Sequence, residues 1–130
     1  MGDRVLFIVH NKSAGDMEVE YSPVIYGHNS GYVSAKLLNK LHERMSGRRG
    51  DVAYACARLI GIMHEDIPGN LSLGVWNLPE DFRKEPDYLT EMSHGDAGVI
   101  LYDCVDGSVE CYGGYMTGDT VETLREGVEA

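Results

Sequence analysis

Long apolar runs are missing from this chain of 130 residues: nowhere do 18 apolar residues follow one another, so a membrane-spanning helix is not expected. Met1-Gly2-Asp3-Arg4 leads straight into a strand-like segment without a basic stretch and an apolar core, so export is not expected either. Position 6 is Leu6, where a myristoylation signal has serine or threonine. Cysteine is scarce and odd in number, with Cys56, Cys104 and Cys111 far apart, which disfavours a disulfide framework and favours a reducing, cytoplasmic setting. No C-x-x-C, H-x-x-x-H or H-E-x-x-H occurs among these residues and the five scattered histidines, so neither metal nor cofactor is expected.

Positive charge is the other shortage. Eleven Lys and Arg stand against 21 Asp and Glu, a formal charge of −10, and direct nucleic-acid binding is disfavoured because phosphates require a positive face. The bases that exist are concentrated: Lys36, Lys40, Arg44, Arg48, Arg49 and Arg58 fall between residues 30 and 61 beside only Glu43 and Asp51. From Glu85 onward there are eleven acids and one arginine. Such poles serve solubility, recognition of a basic partner, or head-to-tail self-association.

What is present is enough apolar residue, 43%, for one continuous core, and the whole chain, 1–130, is expected to form a single globular domain. Residues 4–10 read as a strand, and 18–26 as its hairpin partner, with Pro23 forcing an edge position or a bulge. Val33, Leu37, Leu38, Leu41 and Met45 have helical spacing, predicting a helix over about 31–46 with Ser30 as N-cap and Gly47 at its end. Lys36, Lys40 and Arg44 form its exposed stripe. Asp51 is placed to cap a second helix with the apolar face Val52, Cys56, Leu59, Ile60, Met63 and a small-residue face Ala53, Ala57, Gly61. A helix apolar on two sides is expected to be buried between neighbours.

Leu71–Trp76 reads as a third strand, followed by the polar segment 77–96, a long connection of the kind that is functional or mobile, with one helical turn expected after Pro79. Asp106-Gly107 between two apolar runs predicts a two-residue hairpin turn, with Ile100, Tyr102, Cys104, Val109 and Cys111 on one face and Asp103, Ser108 and Glu110 on the other. A modest amphipathic helix is expected from Gly118. The resulting order is ββααβββα: an α+β two-layer sandwich, a mainly antiparallel sheet of about five strands with two helices packed on one face.

Chemistry could reside at the strand-to-helix corner, where His28, Asn29, Ser30 and Gly31 meet the free N–H groups of a helix start. Ser30 and the glycines Gly27 and Gly31 have structural duties there; His28 has none. In Ser93-His94-Gly95-Asp96, triad residue types are contiguous, whereas a nucleophile and its base normally converge from separate segments. A base such as His28 or His94 paired with Ser22 or Ser93 would be a better construction. His10, His28 and His94 as a metal triad would require strands one, two and the hairpin to be neighbours, and no metal site is expected.

Tyr26-Gly-His28-Asn-Ser-Gly31-Tyr32, followed by the first helix and by Gly50-Asp-Val-Ala-Tyr54, resembles a group of short phage and bacterial proteins of unknown function with the signature Tyr-x-His-Trp-Asp-Gly-Tyr. Asn29 and Ser30 stand where that signature has tryptophan and aspartate. The helix pair on an antiparallel sheet also resembles half of an N-terminal-nucleophile hydrolase, but Gly2 follows Met1 where that class has its nucleophile, so its mechanism does not carry over. The leading expectation is a small acidic cytoplasmic protein that binds a macromolecule, a phage or prophage accessory protein or anti-defence inhibitor whose protein partner has a basic surface. A small hydrolase or transferase with its site between 27–31 and 77–96, and a homo-oligomeric interaction module, are the alternatives.

Overall fold

The computed structural model describes residues 3–15, 18–28, 30–66, 73–82, 85–93 and 95–117. Strand β1 is Val5–His10, and all six residues are buried, as an apolar run without polar alternation requires. Strand β2, Val24–Gly27, lies antiparallel to it, with Phe7 opposite Ile25. The expected partner over 18–26 is shortened: a single bridge joins His10 to Tyr21, and regular pairing resumes only after Pro23. Proline has no N–H for the ladder. Ser22 repairs the gap, its hydroxyl accepting the Val9 N–H at 2.9 Å and donating to the Pro23 carbonyl at 2.8 Å.

Helix α1, Ser34–Arg44, follows a single 3-10 turn at Gly31–Val33 and buries Ala35, Leu37, Leu38 and Leu41. Ser30 makes no side-chain cap, which corrects the sequence expectation. Ser30 is instead packed into the corner, where a Cβ on Gly27 would lie 2.9 Å from its hydroxyl. The buried Ser34 hydroxyl donates to the Gly31 carbonyl at 2.7 Å. Helix α2, Val52–Asp66, has the cap expected of it: Asp51 Oδ1 accepts the Tyr54 N–H at 3.0 Å, and Oδ2 accepts from Arg48 at 2.7 Å. Its buried row is Val52, Ala55, Leu59, Ile62 and Met63. Ala53, Ala57 and Gly61 are exposed, so α2 is buried on one side and not two. Small side chains offer little apolar area, and leaving them in water costs correspondingly little.

Strand β3, Leu73–Trp76, is an edge strand antiparallel to β2. Beyond it, the long polar connection builds helix α3, Pro86–Met92, with proline at its start, where a missing N–H does no harm. Strands β4, Gly98–Asp103, and β5, Val109–Tyr112, form the final hairpin. β4 runs parallel to β1 in register from Val5 beside Gly98 to His10 beside Asp103. The sheet order is β3-β2-β1-β4-β5, and every other pairing is antiparallel.

The class is thus α+β with a five-stranded mixed sheet, while two finer expectations are corrected. The order among the described residues is ββααβαββ, with three helices, because 77–96 contains α3; the helix expected from Gly118 lies outside the described residues. α1 and α2 do share one face, packing on Val5, Phe7, Val9, Ile25, Ile100 and Tyr102. The opposite face is not bare: Leu89 of α3, with Leu78, Phe82 and Met92 around it, covers Leu6, Ile8, Val24, Val99 and Leu101.

The hairpin turn is also longer than two residues. Tyr102, not Cys104, opposes Val109, and the Gly107 N–H donates to the Asp103 carbonyl at 2.9 Å with Gly107 in the left-handed region at φ +81°. A slip of two residues preserves parity, so Ile100, Tyr102, Cys104, Val109 and Cys111 still all face the α1/α2 core.

Candidate functional site

The β1/β4 pair has a polar group of side chains at each end. At its N-terminal end lies the corner singled out in the sequence. The Asp3 N–H donates to the His28 carbonyl at 2.7 Å, and the Gly31 N–H donates to the Asp3 carbonyl at 3.0 Å, tying the chain start to the corner. Gly31 has no Cβ because Ala97 would lie 2.7 Å from it. Arg4 donates to Asp96 Oδ2 twice, from its backbone N–H at 3.1 Å and from Nε at 2.9 Å. The Arg4 guanidinium, its amide and the nearby His28 all hold the Asp96 carboxyl below its ordinary range. The Tyr115 hydroxyl donates to the Asp3 carboxylate at 2.7 Å; burial and that carboxylate push the phenol's pKa up. His28 is half-buried, its Nδ1 2.8 Å from the Tyr26 hydroxyl.

The end of the 77–96 segment therefore reaches the 27–31 corner through Asp96, but not through Ser93. The Ser93 hydroxyl donates to the Gly113 carbonyl at 2.8 Å and accepts the Gly95 N–H at 2.9 Å, closing the turn after α3. Ser22, the other hydroxyl considered, is occupied in the β1/β2 ladder. His94 and Asn29 lie outside the described residues. Lys36, Lys40 and Arg44 do not converge on the corner: Arg44 is eight residues beyond Lys36 and so about 12 Å further along α1. Arg44 instead forks onto the Glu65 carboxylate at 3.2 and 2.9 Å, clasping α1 to α2.

The C-terminal end of the same pair holds the arrangement that sequence reasoning missed. His10 and Asp103 lie side by side in the parallel register, and their side chains are only 5% and 3% exposed. They form part of the lining of an open cavity of about 440 Å³, with the polar residues Lys12, Ser13, Asp106 and Ser108 around them. Asp103 Oδ1 accepts the Ser13 hydroxyl at 2.9 Å and the Val105 N–H at 2.8 Å, and Oδ2 accepts the Ser13 N–H at 2.9 Å. The Lys12 N–H donates to His10 Nδ1 at 3.2 Å. This is not a Ser-His-Asp triad: Nδ1 accepts, whereas the orienting carboxylate of a triad needs an Nδ1–H donor. Asp106 accepts from Ser108 twice, at 2.8 and 2.7 Å; its carboxyl is held below its ordinary range by these bonds, against a desolvation that raises it.

A second, apolar groove of about 390 Å³ runs between the exposed small-residue side of α2 and residues 20–23, with Cys56 and Ile60 in its wall. Burial pushes the Cys56 thiol up, away from the reactive thiolate. Burial raises Cys104 to about 11 and Cys111 to about 12, and all three cysteines are free. Among the described residues, no three His, Cys, Asp or Glu side chains are grouped to hold a metal ion, and no helix is long and apolar enough to cross a membrane.

No protein-family model, no curated protein and no solved structure matches this chain.

Proposed function

We propose that the chain works by binding a macromolecule with a basic surface, through the side of the sheet that α3 covers. One observation carries this reading: the two sides of the sheet carry net charge of opposite sign. Segment 77–92 carries five exposed acids, Glu80, Asp81, Glu85, Asp87 and Glu91, against two bases, Arg83 and Lys84, a net charge of −3. Lys36, Lys40, Arg44, Arg48, Arg49 and Arg58 belong to α1, α2 and their connection, on the other side. Several of those bases are engaged within the fold, Arg44 with Glu65, Arg48 with Asp51, and Arg49 with the His42 carbonyl. On the α1/α2 side the six bases are offset by Glu43, Asp51, Glu65 and Asp66, so 34–66 sums to +2 against −3 over 77–92; complementary charge governs approach and register more than raw affinity. A phage or prophage accessory protein that occupies a basic groove as nucleic acid would is the specific form of this reading.

The test is affinity capture from a host lysate at 50 and 500 mM salt, with the chain and with Glu85→Gln/Asp87→Asn/Glu91→Gln. The expected result is a specific partner held at low salt, released at high salt and lost with the triple variant. A complex indifferent to salt, or retained by the triple variant, contradicts the reading.

A second reading, a small hydrolase or transferase at the N-terminal corner, is favoured by the nearness of His28 to Asp96, which is itself paired with Arg4. On that reading His28→Ala abolishes turnover of ester or phosphoester probes and leaves the melting temperature nearly unchanged. A fall in stability instead makes the corner structural.

A further inference from the structure

We propose that His10 is a proton-operated latch on the turn that walls the C-terminal cavity. In the neutral state its Nδ1 holds the Lys12 amide; once protonated, it releases that amide and turns to the Asp103 carboxylate.

The inference rests on one nitrogen with two incompatible neighbours. Lys12 N–H points at Nδ1 from 3.2 Å, which requires a lone pair there and fixes the neutral imidazole as the Nε2–H form. Asp103 Oδ2 lies 3.8 Å from the same atom, too far for a hydrogen bond and close enough for an ion pair. With Nδ1 unprotonated, these are two acceptors facing each other, and the gap between them follows. A proton taken from solvent onto Nδ1 reverses both relations: two donors then face each other at Lys12, and a cation faces a carboxylate at Asp103.

The response is directed by what Asp103 already holds. Its Oδ2 accepts the Ser13 N–H at 2.9 Å and has a second lone pair, so an imidazolium drawn to that oxygen shares it with Ser13 and weakens that bond. Both amides at stake, those of Lys12 and Ser13, belong to the single 3-10 turn Lys12–Ala14, and both residues line the cavity. The Ser13 hydroxyl at 2.9 Å and the Val105 N–H at 2.8 Å hold the other oxygen and are outside that sharing. Other charged and aromatic groups among the described residues also act on His10. Lys12 opposes protonation, Asp106 and Glu110 across the cavity favour it, and the Tyr21 ring lies 5.8 Å from the imidazole on the β2 side. Acid therefore loosens one wall of the cavity and leaves the β4–β5 turn in place.

The experiment is a pH titration of the full chain, read by ¹⁵N imidazole and amide NMR with hydrogen exchange. At high pH His10 is expected in the Nε2–H form. As it takes up its proton, the protection of the Lys12 amide, its exchange relative to the intrinsic rate at each pH, should fall about tenfold or more, the loss of one hydrogen bond, that of Ser13 should fall by less, and that of Val105 should change little. Asp103→Asn should lower the His10 midpoint by about one unit or more, because the opposite charge is gone. A neutral Nδ1–H form, a titration that leaves the Lys12 and Ser13 amides unchanged, or a His10 that does not titrate while the chain stays folded each overturns the proposal. Should Asp103→Asn fail to fold, the wild-type amides decide alone.

Discussion

The two faces of the sheet are held by unequal amounts of core. On the α1/α2 face, Leu37, Leu38, Leu41, Ala55, Leu59 and Ile62 bury a continuous layer on Val5, Phe7, Val9 and Ile25. On the α3 face, one helix of seven residues supplies a single fully buried side chain, Leu89, with Leu78, Phe82 and Met92 half-buried beside it. The difference shows that a β-strand apolar on both sides, such as β1, can be sealed by two very different layers: one dictated by helical periodicity, the other a mostly polar segment pinned at a few points. The thin layer carries the exposed acids Glu80, Asp81, Glu85, Asp87 and Glu91.

The comparison can be broken most directly in the core. Phe7→Ala, at the centre of the thick face, should cost about 3–5 kcal/mol in urea unfolding, the range for a buried aromatic truncation. Leu89→Ala should fall at the low end for a buried leucine, about 2–3 kcal/mol, because the short helix and its half-buried neighbours can settle into the space. Equal losses at the two positions would mean that the layers are equally rigid.

Charge sharpens the same contrast. On the thick face, Asp51 is held below its ordinary pKa by the Arg48 guanidinium and the Tyr54 amide, and Glu65 by Arg44. A carboxylate depressed in the folded state contributes stability that is complete above its unfolded value, about 4, and is lost as pH falls through the folded one. Unfolding midpoints should therefore drop between neutral pH and about pH 3, and Asp51→Asn with Glu65→Gln should flatten part of that drop. The contribution is small, since these groups are solvent-exposed and screened. A pH profile untouched by the double substitution would contradict it. Smallest of all, Glu85→Gln/Asp87→Asn/Glu91→Gln on the thin face should change stability by no more than about 0.5 kcal/mol, checked by the same unfolding curves.

The sequence made the thick face readable and left the thin one obscure for a physical reason. Leu37, Leu38, Leu41 and the Asp51 cap are local signals, complete within one helix, and the hairpin's alternation survives a wrong turn length because a two-residue slip returns every side chain to its own face. α3 has no such periodicity; seven residues with one buried leucine look like a loop until a sheet face is there to receive them. The parallel pairing of β1 with β4 depends on where the chain returns after more than eighty residues, and nothing local encodes it. That pairing places His10 beside Asp103, so the C-terminal cavity was out of reach even though each residue visibly ends an apolar run. At the corner, the residue types were legible, whereas the contribution of Arg4 and Asp96 required the same pairing: the Ala97 N–H donates to the Arg4 carbonyl at 3.0 Å at its start.

The measurement closest to the central claim is the salt dependence of partner binding with the charges of one face removed at a time. Neutralising Glu85, Asp87 and Glu91 should abolish a salt-sensitive complex, and neutralising Lys36, Lys40 and Arg49 should leave it intact. Loss of binding with the second set and not the first would place recognition on the helical face and contradict the account.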